Sequence, residues 1–450
     1  MKKTLAVLVF ILVAACLIAP KFIAPKHQET VVGLIGKINK TPGYSAEIIS
    51  TDLAWFGSEN KVLFTLDMAQ VDPSLQAQNI DIELVLDTHY GPLLFSNQGL
   101  FGLYATTIKI EGNEQRKALN WDESTPLYQL SVLGRFMGNI NVADKVPPFS
   151  NIDNTFQFSG YSGQGELTTS GFSYEGNLES IHVVDAYSPL KAEGFYVSVE
   201  LNASLETIMQ GGFYDSTTDF SLNTLSMGTD TQLSGLNIEM GSNLNPVTQL
   251  GHIEVSYLIN EIISGSFKAN DLILITELDN LNNQFFIDYK NFFDTFSTEN
   301  PSFDETYETL LVFMQENLDE LLAAKPEFNI PKFSASFPEG RFNATLTSTL
   351  ADISTPTIEA LTTPEFWLYN TIVMAEIEAD QRLVSKLTER FIASQMRAPL
   401  NAPEVKQQAL MLVEGLVQQG LIRLENTKYK SEIHIENGQG KVFDLSFPLM

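Results

Sequence analysis

The sequence predicts an α+β fold: an extended, curved antiparallel β-sheet (meander) with amphipathic helices packed on it, preceded by one N-terminal membrane helix. Three observations carry that expectation. From about Asn154 to Ile275, short runs such as Phe156-Gln157-Phe158 and Gly194-Phe195-Tyr196-Val197-Ser198-Val199 are punctuated by Gly- or Asn-containing turns roughly every ten residues, with no helical period. Ile80-Asp81-Ile82-Glu83-Leu84-Val85-Leu86-Asp87 alternates apolar with acidic side chains, the pattern of a sheet with one wet face. The last third carries apolar stripes at helical spacing, bounded by capping and stop signals.

Taken in chain order, the first element is Leu5 to Ala19, an unbroken run of fifteen apolar or small residues after Lys2 and Lys3. A spanning helix needs roughly 17 to 25 residues, reached only by counting on to Ala24 with Lys21 snorkelling outward. Three readings stand: an uncleaved signal anchor, a lipoprotein signal in which Val13-Ala14-Ala15-Cys16 is a lipobox and Cys16 the lipidated residue, or ordinary cleavage. All three export residues after about 26. Val31, Leu34, Ile35 and Ile38 then mark a helix ending at Pro42-Gly43. Ala46–Ser50 and Lys61–Asp67 read as strands flanking a Trp55-Phe56-Gly57 turn.

Beyond the meander, Ser302-Phe303-Asp304-Glu305 is a capping box opening a helix that Pro326 stops. Phe333–Phe337 and Arg341–Leu346 are strands around Pro338-Glu339-Gly340. Thr363-Pro364 starts a helix expected to run to about Met396, and Pro403 another to Gln419, ended by Gly420. Tyr429–Ile435 and Lys441–Phe447 form a closing hairpin around Asn437-Gly438. The organisation read from this is a membrane or lipoprotein signal segment at 1–26, a strand-rich part at 27–300 and a mixed part at 301–450, or alternatively two similar sheet-plus-helix lobes.

Composition narrows the function classes. The 450 residues hold 27 Lys+Arg against 55 Asp+Glu, a net charge of −28, with no basic stripe, which excludes ordinary nucleic-acid binding. One cysteine excludes an intramolecular disulfide framework and Cys-rich metal sites. The five histidines are scattered without HxH or HExxH, so no metal is expected. No glycine-rich phosphate loop opens a helix after a strand, so no nucleotide cofactor is expected. Gly160-Tyr161-Ser162-Gly163 lacks the second glycine offset and the following helix of a nucleophile elbow and reads as a turn. Chemistry-bearing residues concentrate only at Asp87-Thr88-His89-Tyr90-Gly91-Pro92, where a carboxylate near an imidazole suits a general base and Gly91-Pro92 suits a sharp turn at a strand end.

These motifs in order carry a resemblance. Pro42-Gly43-Tyr44, Trp55-Phe56-Gly57-Ser58 before a strand, His89-Tyr90-Gly91-Pro92-Leu93, and the end with Leu416-Val417, Gly420, Tyr429 and Gly438 resemble the YdgA family of bacterial proteins, also called DUF945, over nearly the whole chain. Leu53, Ala54, the inserted Tyr90 and the region of Ser446-Phe447 depart from the family's usual residues. The resemblance implies an inner-membrane protein with its bulk in the periplasm. It implies no catalytic residue, since the family has no established reaction.

Two functions follow as expectations. The first is a tethered, non-enzymatic binding or scaffold protein of the envelope that offers an apolar groove to a lipid or a protein partner, motivated by 30 Phe, 14 Tyr and wide apolar helix stripes. The second is an envelope hydrolase or transferase centred on Asp87 and His89. Sheet edges also invite homo-oligomer formation. Trp55, Phe56, Gly57, His89, Gly91 and Pro92 are the candidate site positions.

Overall fold

The computed structural model describes residues 16–41, 43–68, 79–96, 98–185, 188–296 and 303–449. Chain contacts divide it into two compact units, residues 1–210 with 291–303 and residues 211–290 with 304–450.

The first unit opens with α1 (Pro20–Ile38), which starts on a proline at its first turn and carries Pro25 inside it. The sequence expectation began this helix at Val31; the two prolines sit where the first turns need no N–H donor or lose only one, so the helix starts eleven residues earlier than the apolar stripe suggested. Of the expected N-terminal membrane helix, residues 1–15 lie outside the described residues, and among the described residues no helix is long and apolar enough to cross a membrane. Cys16 is a free, half-buried thiol.

Strands β1 (Tyr44–Ala54), β2 (Gly57–Asp67) and β3 (Asn79–Tyr90) follow, then a small hairpin of β4 (Leu93–Ser96) and β5 (Gly99–Phe101). The rest are β6 (Tyr104–Ile110), β7 (Leu119–Asn120), β8 (Tyr128–Gly134), β9 (Ile140–Val146), β10 (Phe149–Asn151), β11 (Phe156–Phe158), β12 (Tyr161–Leu167), β13 (Phe172–Val183) and β14 (Leu190–Leu201). All pairings are antiparallel, in the spatial order β1-β2-β3-β6-β8-β9-β12-β13-β14, with β7, β10 and β11 joining through β13. No pairing joins β1 to β14 among the described residues, so the sheet is open rather than a barrel. The alternation read at Ile80–Asp87 is realised. Leu84, Leu86, Thr88 and Tyr90 of β3 share the face that carries Val62 and Phe64 of β2, and Asp81, Glu83 and Asp87 take the other.

A short helix, α2 (Leu205–Gln210), ends this run. The second unit continues with β15 (Ser216–Met227), β16 (Thr231–Leu244), β17 (Leu250–Ser264) and β18 (Phe267–Asn282), four long strands paired in sequence. Helix α3 (Asn283–Phe296), whose residues from Asn291 on belong to the first unit, and helix α4 (Phe303–Ala323) come next in the chain, the latter where the capping box placed it. Then β19 (Glu327–Phe337) and β20 (Gly340–Leu350) form the expected hairpin.

The helix expected from Thr363 to Met396 is three elements. After a single turn at Ile358–Leu361 (α5), α6 (Pro364–Asn370) gives way to a strand, β21 (Thr371–Asp380), and α7 (Gln381–Met396) follows. Thr371, Ile372 and Val373 are β-branched and lose rotamer freedom in a helix, and β21 gains ladder partners on both sides from β20 and, later in the chain, β23. Helix α8 (Pro403–Gln418) buries Val405, Ala409 and Val413, spaced four apart, and packs beside α7, whose buried residues are Leu383 and Ala393. The chain closes with β22 (Arg423–Glu425), β23 (Lys428–Glu436), β24 (Gln439–Val442) and β25 (Leu445–Pro448). The turn at Asn437-Gly438 is as read, but Lys441–Phe447 is broken into two strands by a second turn at Phe443-Asp444, where Phe443 takes φ 52°.

Candidate functional site

In the first unit α1 lies over the sheet face formed by β1, β2, β3 and β6, but it does not close on all of it. Val31 packs with Ala46, Val62 and Leu86, and Ile35 and Ile38 extend that contact. On the side toward β6 and β8 a crevice of about 680 Å³ remains, walled by Phe22, Ile23 and Leu34 of α1 and by Leu103, Ile108 and Val132 of the sheet. That volume lies within the range of small-molecule sites, roughly 300–1,000 Å³.

The floor of this region changes chemistry along its length. Below the C-terminal half of α1 the strands present Val62, Phe64, Leu84, Leu86 and Ile108. Toward the N-terminal end of α1, the same faces of the same strands present Ser58 and Asn60 of β2, Thr88 and Tyr90 of β3, and Thr106 of β6, all buried. Buried hydroxyls and amides are mostly paired, and α1 supplies part of the pairing, while Asn60 Nδ2 has no partner. Gln28 Nε2 donates to Ser58 Oγ at 3.1 Å, which shares a 2.8 Å hydrogen bond with the Tyr90 hydroxyl. His27 Nε2 shares a 3.0 Å hydrogen bond with Thr106 Oγ1, which in turn shares one of 3.0 Å with Thr88 Oγ1. The His27 ring also packs against Tyr90 and Tyr104, with centroids 5.6 and 5.0 Å away.

His27 Nδ1 is buried and has no partner. The His27 residue lines the crevice, together with Lys26, Thr30 and Tyr104. Burial holds the His27 imidazolium below its ordinary range near 6.5 and pushes the Tyr104 phenol up. The stability consequence has a definite sign. The unfolded chain takes up the His27 proton first as pH falls, so the contribution of this residue is fully present above about pH 6.5 and is lost as pH drops through the folded-state value. Melting curves between about pH 8 and 5 are expected to show this loss, and His27→Gln should remove that component of the slope; an unchanged slope would place the titration elsewhere.

The positions singled out from sequence frame this site without forming a reaction centre. Trp55 and Phe56 make the two-residue turn between β1 and β2, and the Trp55 indole N–H donates to the Leu17 carbonyl at 2.8 Å, tying that turn to the chain just before α1. A Cβ on Gly57 would stand 2.6 Å from the Thr88 carbonyl oxygen. At Gly91 the approach is closer. Its N–H donates to the Leu103 carbonyl at 2.7 Å, Gly102 N–H donates to the Pro92 carbonyl at 3.2 Å, and a Cβ on Gly91 would meet the Gly102 oxygen at 1.7 Å. These residues lock the end of β3 to the segment entering β6, with Leu94, Ala105 and Leu133 forming a small apolar cluster there.

Asp87 and His89 are brought together, though loosely. They are alternate residues on the face of β3 away from α1, with His89 Nε2 3.9 Å from Asp87 Oδ1 and both side chains nearly half exposed. Neither lines the crevice. A tighter pair occurs in the second unit, where His252 Nδ1 lies 2.6 Å from Asp279 Oδ1, whose other oxygen accepts from Asn329 Nδ2 at 3.1 Å. Neighbouring Glu277 is raised, first by burial and then by the Asp279 charge. Among the described residues no group of three or more His, Cys, Asp or Glu could hold a metal ion. Sequence reasoning missed His27, Gln28 and Thr106. Their signal was the switch, on one face of β2 and of β3, from Val62 and Phe64 to Ser58 and Asn60, and from Leu84 and Leu86 to Thr88 and Tyr90.

Comparison with other proteins agrees with the motif order. No curated protein and no solved structure matches the chain. The match is to a family, described as bacterial protein of unknown function (DUF945), over residues 1–449, and the chain belongs to it.

Proposed function

We propose that this chain is a non-enzymatic binding protein of the bacterial cell envelope, held at the inner membrane by its N-terminal segment with its bulk in the periplasm, and that it holds the acyl chain of a lipid between α1 and the sheet. The observation that carries this reading is the crevice of about 680 Å³, whose walls are apolar along most of α1 and whose polar groups gather at one end. From Lys26, where the polar groups gather, to Ile38 the helix spans about 18 Å, room for most of an extended acyl chain. A tail laid against Leu34, Leu84 and Ile108 removes apolar surface from water at roughly 25 cal/mol per Å². A head group at the other end meets the Lys26 ammonium and the Thr30 hydroxyl, both exposed residues of the crevice wall.

A photoactivatable C16 fatty acid bearing a diazirine in its tail tests the reading on the full chain in membranes. Cross-links are expected to concentrate on peptides covering 22–38 and 84–108. Labelling spread evenly along the chain, or absent from both peptides, overturns it.

A further inference from the structure

The end of the sheet beside the N-terminus of α1 carries a second feature, independent of what fills the crevice. By register, Gly57 pairs with His89, Tyr90 with Tyr104, and Tyr104 with Gly134, so three connections emerge at the same end: the β1–β2 turn, the segment from β3 to β6, and the β8–β9 turn. Each projects large apolar side chains into solvent. Trp55 is 57% exposed, Leu100 and Phe101 60% and 61%, and Phe136 and Met137 56% and 89%. Leu17, half exposed, joins them through its carbonyl hydrogen bond from the Trp55 indole. Isolated apolar side chains on a surface need no explanation, but several on separate connections at one end of one sheet do.

We infer that this rim docks on the surface of a lipid bilayer, with these exposed side chains seated at head-group depth. The occupant is argued from three things. Trp and Phe on short, backbone-locked turns suit the interface, where an aromatic ring contacts acyl chain and its polar edge stays wet. Leu17 lies two residues from the apolar run Leu5 to Ala15 in the sequence, so the rim is beside the place where the described chain connects to that run. Lys21, the second residue of α1, and Arg135, in the β8–β9 turn, are exposed cations beside the rim, placed to reach lipid phosphates while a net charge of −28 disfavours closer approach by the rest of the chain. The docked end and the opposite end of the same strands are separated by about 20 Å, the length of a seven-residue strand such as β8.

The full chain in phosphatidylethanolamine/phosphatidylglycerol vesicles tests this, with Cys16→Ala as background and single nitroxide labels at Met137→Cys, Leu100→Cys and Glu114→Cys. Glu114 is exposed at the opposite end of the sheet, beyond β6. Labels at 137 and 100 are expected to collide several-fold more with oxygen than with a water-soluble nickel complex, relative to the label at 114. Equal nickel access at 137 and 114 overturns the proposal, and so does shielding of 137 from both reagents, which would mean that a protein surface covers the rim. Because α1 and the crevice are untouched by these substitutions, failure here leaves the acyl-binding reading standing, and failure of the photolabelling leaves this one standing.

Discussion

Gly91→Ala is expected to destabilise the first unit strongly. The added methyl would lie 1.7 Å from the Gly102 carbonyl oxygen, about half a van der Waals contact, and backbone rather than a flexible side chain must give way. Relief requires separating the end of β3 from the strand entry at Gly102 and Leu103. That would break the Gly91-to-Leu103 and Gly102-to-Pro92 hydrogen bonds and disturb the cluster of Leu94, Ala105 and Leu133. The expected cost is about 3 kcal/mol or more, a large share of the roughly 5–15 kcal/mol that holds a domain folded. His89→Ala, two residues earlier, is expected to change stability by only about 0.5 kcal/mol, because its side chain is nearly half exposed. Urea unfolding of both variants, followed by near-ultraviolet circular dichroism, measures the contrast. Equal effects at the two positions would mean that the motif's value lies in the imidazole rather than in the close backbone approach.

The second large effect is on binding. Ile108→Trp combined with Val132→Trp is expected to lower photolabelling by the C16 fatty acid at least about tenfold, since two indoles would occupy the open side of the crevice between α1 and the strands β6 and β8. Both residues are partly buried and face an existing void, so the larger side chains have room and the melting temperature should change little. Undiminished labelling in a folded double variant would show that the lipid sits elsewhere.

Much of the strand order was legible because hairpin turns announce themselves locally: Trp55-Phe56-Gly57, Pro338-Glu339-Gly340 and Asn437-Gly438 all join the strands they were expected to join. β21 was hidden because Ile372, Val373, Met374, Ala375 and Ile377 fit a helical stripe as well as a strand. Partners at Phe342–Leu350 and Lys428–Ile435, distant in the chain, decide between them. The crevice was hidden for a related reason. Its walls come from α1 and from the five strands β1, β2, β3, β6 and β8, and no window of sequence contains them together. Buried Thr88 and Asn60 look like wet-face residues until the register shows which face α1 covers. The Gly91-Pro92 pair was correctly read as a turn, but its tightness depends on Gly102, eleven residues later.

The way α1 is seated bears on how fast any guest could come and go. Of its nineteen residues only Pro20 and Val31 are fully buried, and outside its apolar stripe its anchoring rests on the Gln28 and His27 hydrogen bonds and the Asn39 side chain, which caps Ala46 at both N–H and carbonyl. A helix held by so few contacts detaches locally far more often than the sheet beneath it melts. Residence time in the crevice would then be governed by the opening rate of one helix, the first described element of the chain, rather than by melting of the sheet.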